Sequence, residues 1–65
     1  MEAKIYFFYH GVSEPSIIEY KEVETECQFT NMMVMAMCIG NEDGKVADKT
    51  MGYYDGVWYH AVGSE

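Results

Sequence analysis

The chain has 65 residues, of which 49% are hydrophobic and 15% aromatic. A chain of this length forms one domain that buries only about 60% of its unfolded surface, which leaves little room for an enclosed catalytic pocket. Eleven acidic residues, four lysines and no arginine give a net charge of −7, which argues against direct binding to nucleic acid or to an anionic membrane. We therefore expect a single domain over residues 1–65 whose charge favours solubility or a basic protein partner.

The first predicted element is a strand from Ala3 to His10. Alternate residues of a strand point to opposite sides, and here aromatic side chains fall on both sides. The two faces are Ile5, Phe7 and Tyr9 on one side and Lys4, Tyr6, Phe8 and His10 on the other. This pattern predicts a central strand that is at least partly covered on each face.

A second strand is predicted from Ser16 to Glu24. Its alternation is imperfect, because Ile18 and Tyr20 share one face. Ile17 and Val23 fall on the other face, so either a bulge shifts the register or both faces are partly covered. The many charges of this strand are typical of an edge strand that is protected against pairing with other chains.

The uncharged segment from Gln28 to Ile39 is predicted to be the helix on which the sheet packs. Five apolar residues recur at the spacing of one helical face, namely Phe29, Met32, Met33, Ala36 and Met37. Thr25 and Gln28 fit a capping box, and Gly40 suits the left-handed residue that ends a helix. The alternative is a buried strand from Met32 to Ile39, but methionine and alanine have low β-propensity.

The last predicted elements are two extended segments, Lys45 to Tyr54 and Val57 to Val62. The Asp55-Gly56 pair between them predicts a two-residue type I′ hairpin. This register pairs Tyr53 with Trp58, Met51 with His60, Tyr54 with Val57 and Gly52 with Tyr59. The chain is therefore predicted to be an α+β domain of order β-β-α-β-β, with a four-stranded, mainly antiparallel sheet and one helix packed on one face.

A metal site or a disulfide is not expected, although the chain holds two cysteines and two histidines. Cys27 and Cys38 would stand roughly 16 Å apart along a helix, which is too far for a disulfide or a shared metal ion. Zinc sites usually take their ligands from pairs that are close in sequence, and neither His10 nor His60 belongs to such a pair. We expect two buried or half-buried thiols in a reducing cytoplasm, with no metal and no cofactor.

No combination of residues predicts catalysis. His10 or His60 beside Asp48 or Asp55 would form an acid–base pair, but no partner nucleophile accompanies them. No serine lies in a Gly-x-Ser-x-Gly elbow, and no glycine-rich phosphate loop precedes the helix. We therefore expect a protein that is not an enzyme, whose histidines contact solvent at the ends of strands.

Acidic residues concentrate between the second strand and the start of the helix. The four candidates for partner binding in this stretch are Glu19, Glu22, Glu24 and Glu26. Alternate strand positions stand roughly 6.8 Å apart, so Glu22 and Glu24 would form an even row of negative charge that Glu26 continues. Two interpretations stay open: mimicry of a nucleic-acid backbone that binds a basic groove, and protection of an edge strand.

Apolar side chains that one helix cannot cover indicate an interaction surface. Val34, Met35 and Cys38 lie away from the predicted buried face of the helix. The sheet face that the helix does not reach is predicted to carry Tyr6, Phe8, Tyr54 and Tyr59. We expect Met35, Tyr54 and Tyr59 to contact another protein or a second copy of the chain, unless the core closes more fully.

In its overall pattern the chain resembles the small acidic proteins that bacteriophages make early in infection. The shared features are the aromatic first strand at Ile5–Tyr9, the glutamate-rich second strand at Ile17–Glu24 and the capped helix that follows. In size and element order it is similar to the RNA polymerase inhibitor of T-odd phages and the small antitoxin of T-even phages. In acidity and aromatic content it is similar to the DNA-mimicking inhibitors of uracil-DNA glycosylase and to some anti-CRISPR proteins. The resemblance implies a protein that occupies a surface on a host enzyme.

These features predict a non-catalytic, phage-encoded inhibitor that blocks a bacterial host protein, such as a nuclease, toxin, polymerase or CRISPR component, through an acidic and aromatic surface. The expected partner has a basic or nucleic-acid-binding surface. No apolar run reaches about 18 residues and no signal-peptide pattern is present, so we expect the cytoplasm of the host cell and no membrane contact. The alternatives are a self-associating module that forms a homodimer and, third, a small enzyme or ligand-binding domain.

Overall fold

A computed structural model describes residues 2–40 and 43–63 of the chain. In these residues four strands and one helix follow in the predicted order, as β1 (Ala3–Phe8), β2 (Ser16–Glu19), α1 (Glu26–Cys38), β3 (Lys49–Tyr54) and β4 (Val57–Val62). The strands form one antiparallel sheet of order β2-β1-β3-β4, with α1 on one face. The predicted α+β fold is confirmed, and β1 and β3 are the central strands.

The core lies between α1 and the inner face of the sheet. In β1 alternate residues are buried and those between them are half-buried, as the strand period requires. The buried apolar residues are Ala3, Ile5, Phe7, Val23, Phe29, Met33, Ala36, Ala47 and Tyr54. Met32 and Met37 pack at the edge of this core, so all five residues of the predicted helical face point toward the sheet.

Phe29 is the aromatic centre of this core. Its side chain is 0% exposed, and its ring stacks on Tyr54 with 5.4 Å between ring centroids. The ring of Tyr59 meets it edge-on at 5.7 Å. Burying a side chain of this size contributes about 1.5–3 kcal/mol to the stability of the fold, so these contacts fix α1 over β3 and β4.

The predicted capping residues at both ends of the helix are confirmed, although α1 runs from Glu26 to Cys38 and not from Gln28 to Ile39. The hydroxyl of Thr25 accepts a hydrogen bond from the amide of Gln28 at 3.1 Å, and the side chain of Gln28 accepts one from the amide of Glu24 at 3.0 Å. At the other end Gly40 has a φ of 104°, which a residue with a side chain rarely adopts. The alternative of a strand from Met32 to Ile39 is therefore wrong.

The hairpin between β3 and β4 follows the predicted register. Asp55 and Gly56 have φ angles of 45° and 87°, and positive angles at both central residues define a type I′ turn. The pairs Tyr53–Trp58, Met51–His60, Gly52–Tyr59 and Tyr54–Val57 all form. Local turn chemistry thus aligns the two strands residue by residue.

Three strands are shorter than predicted, and the first and third of them are cut short by contacts of the neighbouring loops. The first ends at Phe8 and not at His10, since the amide of Val12 donates to the carbonyl of Tyr9 in a turn. The third begins at Lys49 and not at residue 45, because Ala47 is buried and its amide donates to the carbonyl of Ala36 in the helix. The sequence also predicts a polar turn at 40–44 and a frayed end at 63–65, and both lie partly outside the described residues.

The second strand differs most from its prediction, which extended to Glu24. β2 ends at Glu19, and the chain then leaves the sheet to bury Val23, which is 4% exposed. The imperfect alternation therefore reflects neither a bulge nor two covered faces, since Val23 is not part of the strand. The predicted position at an edge of the sheet is confirmed.

The single described helix is too short to cross a membrane. α1 has 13 residues, whereas a helix needs about 20 apolar residues to cross the hydrocarbon region. Within residues 2–40 and 43–63, no helix has the length and apolar character of a membrane span.

Candidate functional site

The sheet face opposite α1 carries a continuous group of large apolar side chains. Tyr6 pairs with Ile17 on one side and with Met51 on the other, and Tyr53 pairs with Trp58. No helix or strand of the described residues packs on this surface, which we name the uncovered face. Its large apolar side chains are Tyr6, Phe8, Ile17, Met51, Tyr53 and Trp58.

Trp58 is the most prominent side chain of the uncovered face. It is 56% exposed, although the rings of Tyr6 and Tyr53 both lie against it. The ring centroids lie 5.9 Å from Tyr6 and 5.4 Å from Tyr53, both in edge-on arrangements. Such contacts hold the indole in place, so it loses little conformational freedom when it binds another surface.

The charged groups of the uncovered face are paired within the protein. Lys4 Nζ lies 3.0 Å from Glu2 Oε1 and 4.0 Å from Glu19 Oε1. The hydrogen bond to Glu2, with the charges of Glu2 and Glu19, raises the pKa of Lys4 above its ordinary value. Lys49 Nζ lies 4.8 Å from the centroid of the Phe8 ring, in a cation–π contact. The surface is therefore apolar at its centre and balanced in charge.

The predicted placement of Tyr54 and Tyr59 on this face is wrong. Tyr54 is buried beneath α1 and Tyr59 is half-buried against Phe29, so both belong to the opposite, helix-covered face. The physical reason is Gly52, which lies on their face and leaves space for the helix. A glycine inside a strand marks close approach by another element, and that signal was available in the sequence.

Sequence reasoning missed four members of the uncovered face. They are Ile17, Met51, Tyr53 and Trp58. The hairpin register had already grouped Tyr53 with Trp58 opposite the face of Gly52. Choosing the hairpin face without the glycine would have identified Met51, Tyr53 and Trp58, whereas Ile17 lies in β2 and has no such signal.

The predicted even row of acids does not form. Glu19 lies at the β2 edge of the uncovered face, but the strand ends there, so Glu22 and Glu24 follow in an irregular segment. Glu22 lines an open groove of about 440 Å³ between this segment and α1. Glu26 lies in the first turn of α1, where the helix dipole favours a negative charge. The role of these four acids in partner binding stays a prediction.

Met35 lies on the outer side of α1 and is 53% exposed. It lines a shallow groove of about 230 Å³ together with Ile18, Tyr20 and Met32. This position agrees with the predicted orientation away from the buried helical face. Its contact with a partner stays a prediction.

The histidines and cysteines do not assemble a reactive centre in the described residues. Cys27 and Cys38 are exposed and free, so the prediction that they are buried or half-buried is wrong. His10 Nδ1 lies 3.8 Å from Asp48 Oδ2, but its imidazole is 98% exposed, which is not the dry setting that activates an acid–base pair. Within residues 2–40 and 43–63, no three metal-ligating side chains cluster.

The hydroxyl of Tyr59 links β4 to the start of α1. Burial raises the pKa of Tyr59, and its hydrogen bond to Glu26 with the nearby charges of Glu26 and Tyr54 raises it further. Because the folded pKa exceeds the unfolded one, this group stabilises the fold below the unfolded pKa, and the contribution is lost as pH rises through the folded pKa.

We therefore expect the Tm to fall as pH rises above about 10, the ordinary pKa of tyrosine, and to fall less steeply in Tyr59→Phe. Thermal unfolding followed by circular dichroism across alkaline pH measures both slopes. Tyr53→Phe is the matched control, because Tyr53 lies on the other face of the sheet. Equal slopes for Tyr59→Phe and the wild type would contradict the assignment.

The uncovered face brings exposed, preorganised aromatic side chains together, whereas Glu22, Glu24, Glu26 and Met35 lie on other parts of the surface. The sequence predicts one surface that is both acidic and aromatic, but the structure places the acidic and the aromatic residues on two surfaces. Glu19 belongs to both. The similarity to phage inhibitors remains a resemblance in pattern. The chain matches no protein-family model, and comparisons with curated proteins and with solved structures found no match.

Proposed function

We propose that this protein is a non-catalytic binding protein that docks its uncovered face on another protein and inhibits that protein by occupying its surface. The observation that carries the proposal is the exposed indole of Trp58, which is in contact with the rings of Tyr6 and Tyr53. Tryptophan and tyrosine are enriched among the residues that supply most of the binding energy at interfaces. Inhibition is the part of the proposal that rests on the resemblance to phage inhibitors.

The exposure of the uncovered face supports binding over a purely structural role. Ile17 and Trp58 are 57% and 56% exposed, and they lie on the same side of the sheet as half-buried Tyr6 and Tyr53. Single exposed apolar residues are normal on proteins, but a connected aromatic group indicates an interaction site. Rigid rings contribute contact area at a low cost in side-chain entropy.

The charge of the chain indicates the kind of partner. The net charge is −7, while Lys4 and Lys49 on the uncovered face are engaged by Glu2, Glu19 and Phe8. The excess negative charge therefore lies outside the uncovered face. Such a distribution attracts and orients a partner whose apolar surface is bordered by lysine and arginine. The proposal rests on the aromatic face and does not require mimicry of nucleic acid.

Affinity capture from a bacterial lysate with paired variants tests this function. The wild type and Met35→Ala are expected to retain one basic protein that Trp58→Ala loses. The two positions are matched, with exposures of 56% for Trp58 and 53% for Met35, but they lie on opposite sides of the sheet. Capture that Trp58→Ala leaves intact, or that only Met35→Ala abolishes, would place the binding surface elsewhere and reject the proposal.

A further inference from the structure

β4 is an edge strand that lacks the protection found at the other edge of the sheet. β2 is short, with four residues, contains Glu19 and directly follows Pro15. β4 has six residues and contains neither a charged residue nor a proline. In residues 2–40 and 43–63, no strand pairs with its outer side. An open, uncharged edge is a template for another strand.

The hairpin register determines which backbone groups of β4 point outward. In a two-residue hairpin the closing pair, here Tyr54 and Val57, exchanges both of its backbone hydrogen bonds. Hydrogen-bonded and non-hydrogen-bonded pairs then alternate along the two strands. The outward amide and carbonyl groups of β4 therefore belong to Trp58, His60 and Val62.

We propose that a second copy of this chain pairs its β4 antiparallel with this edge, around a two-fold axis at His60. In this register His60 lies opposite His60 of the second copy, and Trp58 lies opposite its Val62. All three outward positions of one strand then meet outward positions of the other, which allows about six backbone hydrogen bonds. Moving the register by two residues in one direction would pair β4 with the hairpin turn of the second copy. Moving it in the other direction would pair β4 with residues beyond the end of the strand.

Both sides of this junction are apolar and self-complementary. On the uncovered face, Trp58 and Val62 are 56% and 66% exposed and would lie side by side across the axis. On the helix side, a groove of about 420 Å³ runs between α1 and β4 and is lined by Val34, Cys38 and Ala61. The two-fold axis brings this groove against its own copy, which buries apolar surface in a second layer.

The distribution of charge favours a second copy at this edge. Each chain has a net charge of −7, so two copies repel each other over most of their surfaces. β4 carries no charged residue, and it is the edge by which two copies can approach with the least repulsion. The dimer joins the two uncovered faces into one continuous sheet surface, so a partner with repeated sites would be bound by both copies at once.

Sedimentation velocity of the full chain, from low micromolar to near-millimolar concentration, tests the dimer. We expect the wild type to pass from monomer to dimer, and His60→Lys to weaken association by about tenfold or more, because two like charges meet at the axis. His10→Lys is the matched control, since it is the same substitution at a side chain that is 98% exposed and far from β4 in sequence. It is expected to dimerise like the wild type.

His60→Pro provides a second variant with a different physical basis. Proline removes the outward amide hydrogen of residue 60, which the β3–β4 pairing does not use, and proline is tolerated in edge strands. We expect it to weaken the dimer while far-UV circular dichroism retains the wild-type spectrum. If one of the two variants at His60 loses the wild-type spectrum, it is excluded, and the variant that remains folded tests the dimer.

A wild type that stays monomeric at every concentration would overturn the proposal. So would a dimer that a folded His60→Lys or His60→Pro leaves as tight as the wild type. Neither result would bear on the partner captured through Trp58, because a monomer presents the same uncovered face.

Discussion

Replacing Gly52 by alanine is expected to destabilise the fold by about 3 kcal/mol. A Cβ atom at this position would overlap the ring of Phe29 and the sulfur of Met33. Both side chains extend from α1 and pack against β3. The ring cannot move aside, because it is 0% exposed and is held between Tyr54 and Tyr59. The helix would have to lift from the sheet.

The effect is large relative to the stability of so small a domain. Native domains are stable by about 5–15 kcal/mol, and a chain of this length lies toward the lower end. Urea unfolding followed by far-UV circular dichroism measures the change in the free energy of unfolding. We expect the midpoint of Gly52→Ala to move to a much lower urea concentration.

A double-mutant cycle with Phe29→Leu is the control. Leucine removes the far edge of the ring that the new methyl group would strike, so Gly52→Ala should cost less in that background than in the wild type. Strictly additive effects, or a Gly52→Ala protein as stable as the wild type, would show that the helix does not pack on Gly52.

Replacing Trp58 by alanine is expected to weaken binding to the captured partner by about 2 kcal/mol or more, which is about thirtyfold in Kd. The indole is the most exposed aromatic group of the uncovered face and is already oriented by Tyr6 and Tyr53. Titration calorimetry with the purified partner measures the change. Because Trp58 is outside the helix-covered core, we expect the far-UV spectrum to be retained.

Two control variants separate contact from charge in this experiment. Met35→Ala is expected to change Kd by less than about threefold, since it removes an exposed side chain on the outer side of α1. Replacing Glu22 and Glu24 with glutamine is expected to slow association and reduce its salt dependence, with little change in dissociation. A Trp58→Ala protein that binds as tightly as the wild type would contradict the proposed function.

The features that local chemistry determines were predicted correctly from the sequence. The cap at Thr25, the stop at Gly40 and the turn at Asp55-Gly56 each depend on a few neighbouring residues. They fix the ends of α1 and the register of the hairpin, which in turn fixes which residues share a face.

The features that depend on distant parts of the chain were not predicted. β2 ends early because burying Val23 outweighs continued strand pairing, and no local signal marks that balance. The face covered by α1 was assigned incorrectly for Tyr54 and Tyr59, because aromatic residues occur on both faces of the sheet. Gly52 marks the face on which α1 packs, because a Cβ atom there would overlap Phe29 and Met33.

The most direct test of the binding surface uses the only tryptophan of the chain as a probe. Fluorotryptophan incorporated at Trp58 gives one fluorine signal, whose solvent isotope shift reports how exposed the indole is. With the chain at fixed concentration and the captured partner in excess, we expect this signal to move and its isotope shift to fall as the indole is buried. An unchanged signal in a formed complex would contradict binding through the uncovered face.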